Sequence, residues 1–156
     1  MILKRTNSDD VDFRSLVEQL DAYLADIDGE EHSFFAQFNG LDKIAHTVVA
    51  YDGDAPVGCG AFKPYSDTAV EIKRMFVSPD YRGRSIGAMV LTELESWAGE
   101  IGFAECILET GHRQQAAVRL YQREGYTVIP NYDQYAGVDS SVCMKKQIPL
   151  REQSTV

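Results

Sequence analysis

From Met75 to Ala88 the chain reads Met-Phe-Val-Ser-Pro-Asp-Tyr-Arg-Gly-Arg-Ser-Ile-Gly-Ala, and this stretch restricts the fold more than any other. The residues leading into it, Ala69 to Val77, are apolar and β-branched enough for a strand, and Ser78-Pro79-Asp80 stops that strand because proline cannot donate to a sheet ladder. A helix is expected from about Ser85 to Ile101, with Ile86, Val90, Leu94 and Trp97 on one stripe and Gly102 as its stop signal. Strand, turn and helix start therefore meet at a loop that carries Arg82, Gly83, Arg84 and Gly87. The first turn of a helix leaves backbone N–H groups unpaired and carries partial positive charge, so it holds anions where glycines let the backbone approach. Arg82 and Arg84 add charged donors in a chain whose formal net charge is −9, which suits a pyrophosphate better than a merely solvated loop. Neither the G-x-x-x-x-G-K-[ST] loop nor the G-x-G-x-x-G fingerprint is present, so the two commonest nucleotide-binding solutions are excluded.

The rest of the chain sets this loop in a mixed α/β domain, a central sheet flanked by helices, expected over residues 1–148 with a short polar tail over 149–156. Ile2 to Thr6 suits a strand, and Asn7, Ser8, Asp9 and Asp10 suit a helix start. Phe13, Leu16, Val17, Leu20, Tyr23, Leu24 and Ile27 then recur at spacings of three and four, ending at Gly29. Phe34, Phe35 and Phe38 lie close together, consistent either with a short helix lining a pocket or with plain core packing. His46 to Tyr51 and Pro56 to Phe62 read as two antiparallel strands joined by Asp52-Gly53-Asp54. Ala104 to Leu108 reads as a central strand and Gln114 to Glu124 as a helix closed by Gly125. Tyr126 to Ile129 and Val142 to Lys146 supply the last strands, around a tyrosine-bearing loop from Pro130 to Ser141.

Composition narrows the function. An acidic chain disfavours nucleic acid as a partner and mildly favours cationic ones. No segment approaches the roughly 20 apolar residues that cross a bilayer, and the first residues lack a secretory signal, so a cytoplasmic protein is expected. Cys59, Cys106 and Cys143 are far apart in apolar strands and read as buried thiols rather than as a site. His32, His46 and His112 form no metal-type spacing, so no metal is expected.

The loop resembles the coenzyme A motif [QR]-x-x-G-x-[GA] of the GCN5-related N-acetyltransferases: Arg82 and Gly87 match its ends, and Ser85 stands where the family has its middle glycine. That exchange is acceptable if Ser85 has ordinary helical dihedrals. Ala117-Val118-Arg119-Leu120-Tyr121-Gln122-Arg123-Glu124-Gly125-Tyr126 is similar to the family's A-x-x-L-Y-x-x-x-G-[FY] segment, in the expected order after the loop. The resemblance implies an acyl-CoA N-acyltransferase fold with a mainly antiparallel sheet, acetyl-CoA as acyl donor and a strand that bulges before the loop. It further implies that the backbone of Met75, Phe76 and Val77 contacts the pantetheine arm, with an N–H near Phe76 facing the thioester oxygen. By the same resemblance Arg82, Gly83, Arg84, Ser85, Ile86, Gly87 and Ala88 hold the diphosphate.

Amine attack on a thioester needs a neutral amine, a stabilised oxyanion and a proton for the departing thiolate. A lysine-like amine of pKa about 10.4 is neutral in only about one molecule in two thousand at pH 7. Glu71 stands where histone-acetylating relatives carry a general base, and strand alternation would put Glu71, Lys73, Met75 and Val77 on one face; its alternative role is an ion pair at a solvated strand end. Tyr121 stands where the family places a general acid, its alternative role being a tyrosine that covers the core edge. The acceptor, expected to be a small-molecule amine, with a protein lysine or a protein N-terminus as the alternative, would lie between residues 23–38 and 131–140, where Asp26, Asp28, Glu30, Glu31 and Asp133 attract cations. A non-catalytic acyl-CoA sensor is the rival reading, and a homodimer is expected from base rates.

Overall fold

The computed structural model describes residues 1–28 and 43–149, with the side chain of Asp28 outside the description. The expectations for Gly29, His32 to Phe38, Glu30, Glu31 and most of the tail fall outside these residues. The described chain runs β1 (Ile2–Thr6), α1 (Val11–Asp28), β2 (His46–Asp52), β3 (Ala55–Pro64), β4 (Ala69–Val77), α2 (Ile86–Glu100), β5 (Glu105–Gly111), α3 (Gln115–Arg123), β6 (Thr127–Ile129) and β7 (Ser141–Gln147). Seven strands form one sheet in the order β1-β2-β3-β4-β5-β7-β6. Every neighbouring pair is antiparallel except β4 and β5, which are parallel.

The helix α1 begins where Asp10 caps it: Oδ1 accepts the Phe13 N–H at 2.9 Å, pairing one of the donors a helix start leaves open. Its stripe of Phe13, Leu16 and Leu20 then packs on Val49, Cys59, Ala61 and Phe76. The opposite face of the sheet, through Val48, Val57, Val70 and Ile72, receives Val90, Leu91 and Leu94 of α2. Val48 and Val49 thus go to opposite cores, as side-chain alternation along a strand requires. Leu16 is fully buried, and truncating such a side chain costs about 2–5 kcal/mol.

Glycines in β3 decide how closely α2 approaches. A Cβ on Gly60 would stand 2.5 Å from Met75 Sδ and 2.8 Å from Leu94 Cδ1, so only hydrogen fits between the strand and the helix.

The β4 strand does not alternate as expected. Cys59 pairs with Phe76 and Ala61 with Lys73, so Gly60 faces two residues, Arg74 and Met75. This is a β-bulge, with Arg74 at φ 60°. The Cys59 thiol donates to the Arg74 carbonyl at 3.3 Å, and burial pushes its pKa up to about 12, which keeps the donor in place. The inserted residue inverts the pattern: Met75 and Val77 pack with Val70 and Ile72 on the α2 side, whereas Glu71 and Lys73 face a cavity lined by Leu20 and Leu24 of α1. The expectation of one shared face for Glu71, Lys73, Met75 and Val77 is therefore corrected.

Candidate active site

The pairing of β4 with β5 covers only Ala69 to Glu71 against Glu105 to Ile107. Beyond it β4 continues to Val77 and β5 to Gly111. The two strands splay apart, leaving the β4 edge at Met75, Phe76 and Val77 without a strand partner on that side. Ser78 N–H turns toward β3, donating to Val57 O at 2.9 Å, so alternation along the extended strand aims the Val77 N–H into the split.

The split opens into a cleft of about 540 Å³ lined by β4, the loop, the start of α2 and α3. Met75, Phe76, Val77, Arg82, Gly83, Ser85, Ile86, Gly87 and Ala88 all border it, together with Leu120 and Tyr23. Of the sequence-derived loop residues, Arg84 stands apart, its guanidinium 5.1 Å from the Tyr81 ring centroid. Helix α2 starts with Met89 N–H donating to Ser85 O at 3.0 Å, and no side chain caps it. The N–H groups of its first turn therefore point out of the helix toward the cleft.

Ser85 does not have helical dihedrals. It lies at φ 62°, ψ 19°, in the left-handed region, and Gly83 before it lies at φ 82°. The serine thus adopts a conformation that glycine reaches without the Cβ clash, which corrects the condition under which the exchange was expected to be neutral. Arg82 folds back on the strand it follows. Its Nε donates to Val77 O at 3.0 Å, and its guanidinium lies 4.9 Å from the Tyr23 ring centroid and 5.8 Å from that of Phe76.

Deeper in the split a small polar cavity of about 90 Å³ joins Glu71, Lys73, Arg74 and Met75 of β4 to Glu109 of β5, Gln114, Tyr121 and Tyr135. Tyr121 is only 6% exposed, and its hydroxyl has no hydrogen-bond partner among the described residues. Burial, and then the Glu109 carboxylate, hold its pKa above the usual tyrosine range. Glu71 is engaged at both oxygens: Oε2 accepts from Tyr132 at 2.6 Å, and Oε1 lies 3.4 Å from Lys73 Nζ. Glu109 accepts from the Ser141 hydroxyl at 2.8 Å.

Glu109, Tyr132 and Tyr135 were not singled out from the sequence. Glu109 sits at an ordinary polar position of a strand, and the signal that exposes it is the splay, a long-range feature. Asp26 and Asp133 are exposed to solvent. Among the described residues no three His, Cys, Asp or Glu side chains are grouped to hold a metal, and the three cysteines are buried and free.

Residues 13–126 match the family model described as Acetyltransferase (GNAT) family. The chain belongs to the GNAT acetyltransferases. As an N-acetyltransferase of this family it is 33% identical over 135 residues to the IAA acetyltransferase of Azospirillum brasilense, an alignment that covers 85% of this chain and 88% of that protein. The GNAT fold is shown by a Klebsiella pneumoniae structure assigned to the acyl-CoA N-acyltransferases, with TM-score 0.79 and 26% identity over 94% of this chain and 97% of that one. The PaiA N-acetyltransferase of Thermoplasma acidophilum, solved with coenzyme A, shares the same fold at TM-score 0.67 and 19% identity, covering 94% of this chain and 99% of that one. Among the described residues of this acetyltransferase no helix is long and apolar enough to cross a membrane.

Proposed function

We propose that this acetyltransferase takes acetyl-CoA as acyl donor and passes the acetyl group to a primary amine of a small molecule, by direct attack in a ternary complex. The observation that carries the reading is the splay of β4 from β5 beyond Glu71 and Ile107, which opens onto an uncapped helix start. The residues present fit the donor. The first turn of α2 offers N–H groups to a diphosphate, Arg82 at the cleft wall adds positive charge, and the exposed edge of β4 from Met75 to Val77 offers backbone groups to an amide-bearing arm. Acetyl-CoA, when bound, supplies the activated acyl thioester.

The chain's own groups then divide the remaining work. The Val77 N–H, aimed into the split, is the donor for the developing oxyanion. Tyr121 keeps its proton across the physiological range, because burial and Glu109 disfavour the phenolate, and so serves as general acid toward the departing sulfur. Two carboxylates face the cavity from opposite strands, Glu71 and Glu109, and either stands where it can take a proton from the attacking amine. Replacing each by glutamine separates them: the base is the one whose loss removes the ascending limb of the kcat/KM pH profile.

We place the protein in the cytoplasm, where unbridged thiols such as these stay reduced. The deciding experiment is release of free thiol from acetyl-CoA in the presence of a panel of small primary amines and a lysine peptide. Amine-dependent release with the small amines supports the reading. Binding of acetyl-CoA with no amine-dependent release makes the protein a sensor, and release with the peptide alone makes it a protein acetyltransferase.

A further inference from the structure

The sequence Tyr121-Gln122-Arg123-Glu124-Gly125-Tyr126 closes α3 in a way that ties two tyrosines together. Gly125 lies at φ 96°, its N–H donates to Gln122 O at 3.1 Å, and the Tyr126 N–H donates to Tyr121 O at 2.9 Å. These are the two bonds of a Schellman motif, in which the residue after the glycine packs on the residue that accepts its amide. The Tyr126 ring does so, meeting the Tyr121 ring edge-on at 5.7 Å between centroids and 62° between planes. One face of the Tyr121 side chain is thus held by Tyr126, while the same side chain borders the cavity between Glu71 and Glu109.

Tyr126 is itself anchored at its far end. It is 2% exposed, and its hydroxyl donates to Glu95 Oε2 of α2 at 2.9 Å. The other carboxylate oxygen, Oε1, accepts from Lys146 Nζ of β7 at 2.8 Å. The Lys146 ammonium also lies 5.8 Å from the Tyr126 ring centroid. Glu95 of α2, Lys146 of β7 and Cys106 of β5 therefore converge on one phenol on the turn after α3, which lines neither the large cleft nor the small cavity. A part-buried ion pair adds little stability over apolar packing, so what this one contributes is the geometry it fixes.

We propose that Glu95 is a positioning residue for Tyr121, acting through the Tyr126 ring. Its carboxylate fixes the Tyr126 hydroxyl, which fixes the ring plane, which sets the direction in which the Tyr121 hydroxyl enters the cavity. Lys146 orients Glu95 through its 2.8 Å contact with Oε1. The inference rests on the assignment of Tyr121 as general acid, and a misplacement of about an ångström at that hydroxyl slows a reaction by up to about 10²-fold.

The test is steady-state acetyl transfer by Glu95→Gln in two backgrounds, the natural chain and Tyr121→Phe. In the natural chain kcat falls roughly tenfold while KM for acetyl-CoA stays within about twofold, as expected when an interaction made only in the transition state is weakened. In the Tyr121→Phe background the same substitution changes kcat by less than about twofold, because the group being positioned is gone. Tyr126→Phe cuts the link from the other side and keeps the ring, so it must reproduce both results. Equal losses of kcat in the two backgrounds, or an unchanged kcat in the natural chain, overturn the role of Glu95 and leave that of Tyr121 standing. Full turnover by Tyr121→Phe alone overturns the acid assignment and this inference with it.

Discussion

Gly87, in the first turn of α2, lies against Leu120 of α3 so closely that a Cβ placed on it would stand 3.1 Å from Leu120 Cδ2. The two helices pinch together at the floor of the large cleft, and the missing side chain keeps the helix start open to a ligand. A larger residue meets the Leu120 side chain, which must give way, or else projects into the cleft. Gly87→Val is expected to weaken coenzyme A binding at least about tenfold, with the fold retained by circular dichroism. A dissociation constant unchanged by calorimetry removes Gly87 from the binding surface.

Tyr121→Phe removes one hydroxyl from a side chain whose packing against Tyr126 is otherwise preserved. Turnover should drop by about 10²-fold, the usual contribution of a positioned general acid, with KM for acetyl-CoA nearly unchanged. Equal loss in kcat and in donor affinity would point to a packing role instead.

Ser85 carries a Cβ in the left-handed region at φ 62°. Ser85→Gly relieves about 1 kcal/mol of backbone strain, partly offset by the extra chain entropy of glycine. The melting temperature should rise by about 1–3 °C, and a fall would mean that the serine hydroxyl makes a compensating contact.

Asp10 caps α1 and also meets Lys4 Nζ at 2.8 Å. Burial pushes its pKa up, but the hydrogen bonds from Lys4 and from the Phe13 N–H outweigh it, and the folded value lies below the model-peptide 3.8. A carboxylate whose pKa is lowered by folding stabilises the protein fully above its unfolded pKa, and that stability is lost as pH falls through the folded value. Asp10→Ala should therefore cost about 1 kcal/mol at neutral pH, and the gap from the natural chain should narrow below pH 3.8 in denaturant titrations. A gap independent of pH would show that the cap acts through packing alone.

Local chemistry was legible from the residues. The helix after the loop, its stop near Gly102, the hairpin at Asp52-Gly53-Asp54 and the helix closed by Gly125 all lie where punctuation and periodicity put them, within a residue or two. So was the placement of the glycine and arginine loop at the start of α2, because a strand end, a turn and a helix start are made of neighbours in sequence. The face assignment in β4 was not. The family resemblance implied a bulge before the loop but not its position: one inserted residue, Arg74, inverts a period of two, and nothing in the run Glu71 to Val77 marks where it falls.

By itself the sequence determined which elements form and that a glycine- and arginine-bearing turn joins β4 to the start of α2, since both depend on contacts a few residues apart. Only the tertiary structure decided that β4 and β5 part after Glu71 and Ile107, that Glu109 and Tyr135 join Tyr121 around one cavity, and that Arg82 folds back onto Val77. Those outcomes depend on strand register and on how closely α2 can lie against Gly60. They are balances of packing among distant residues, which no local pattern records.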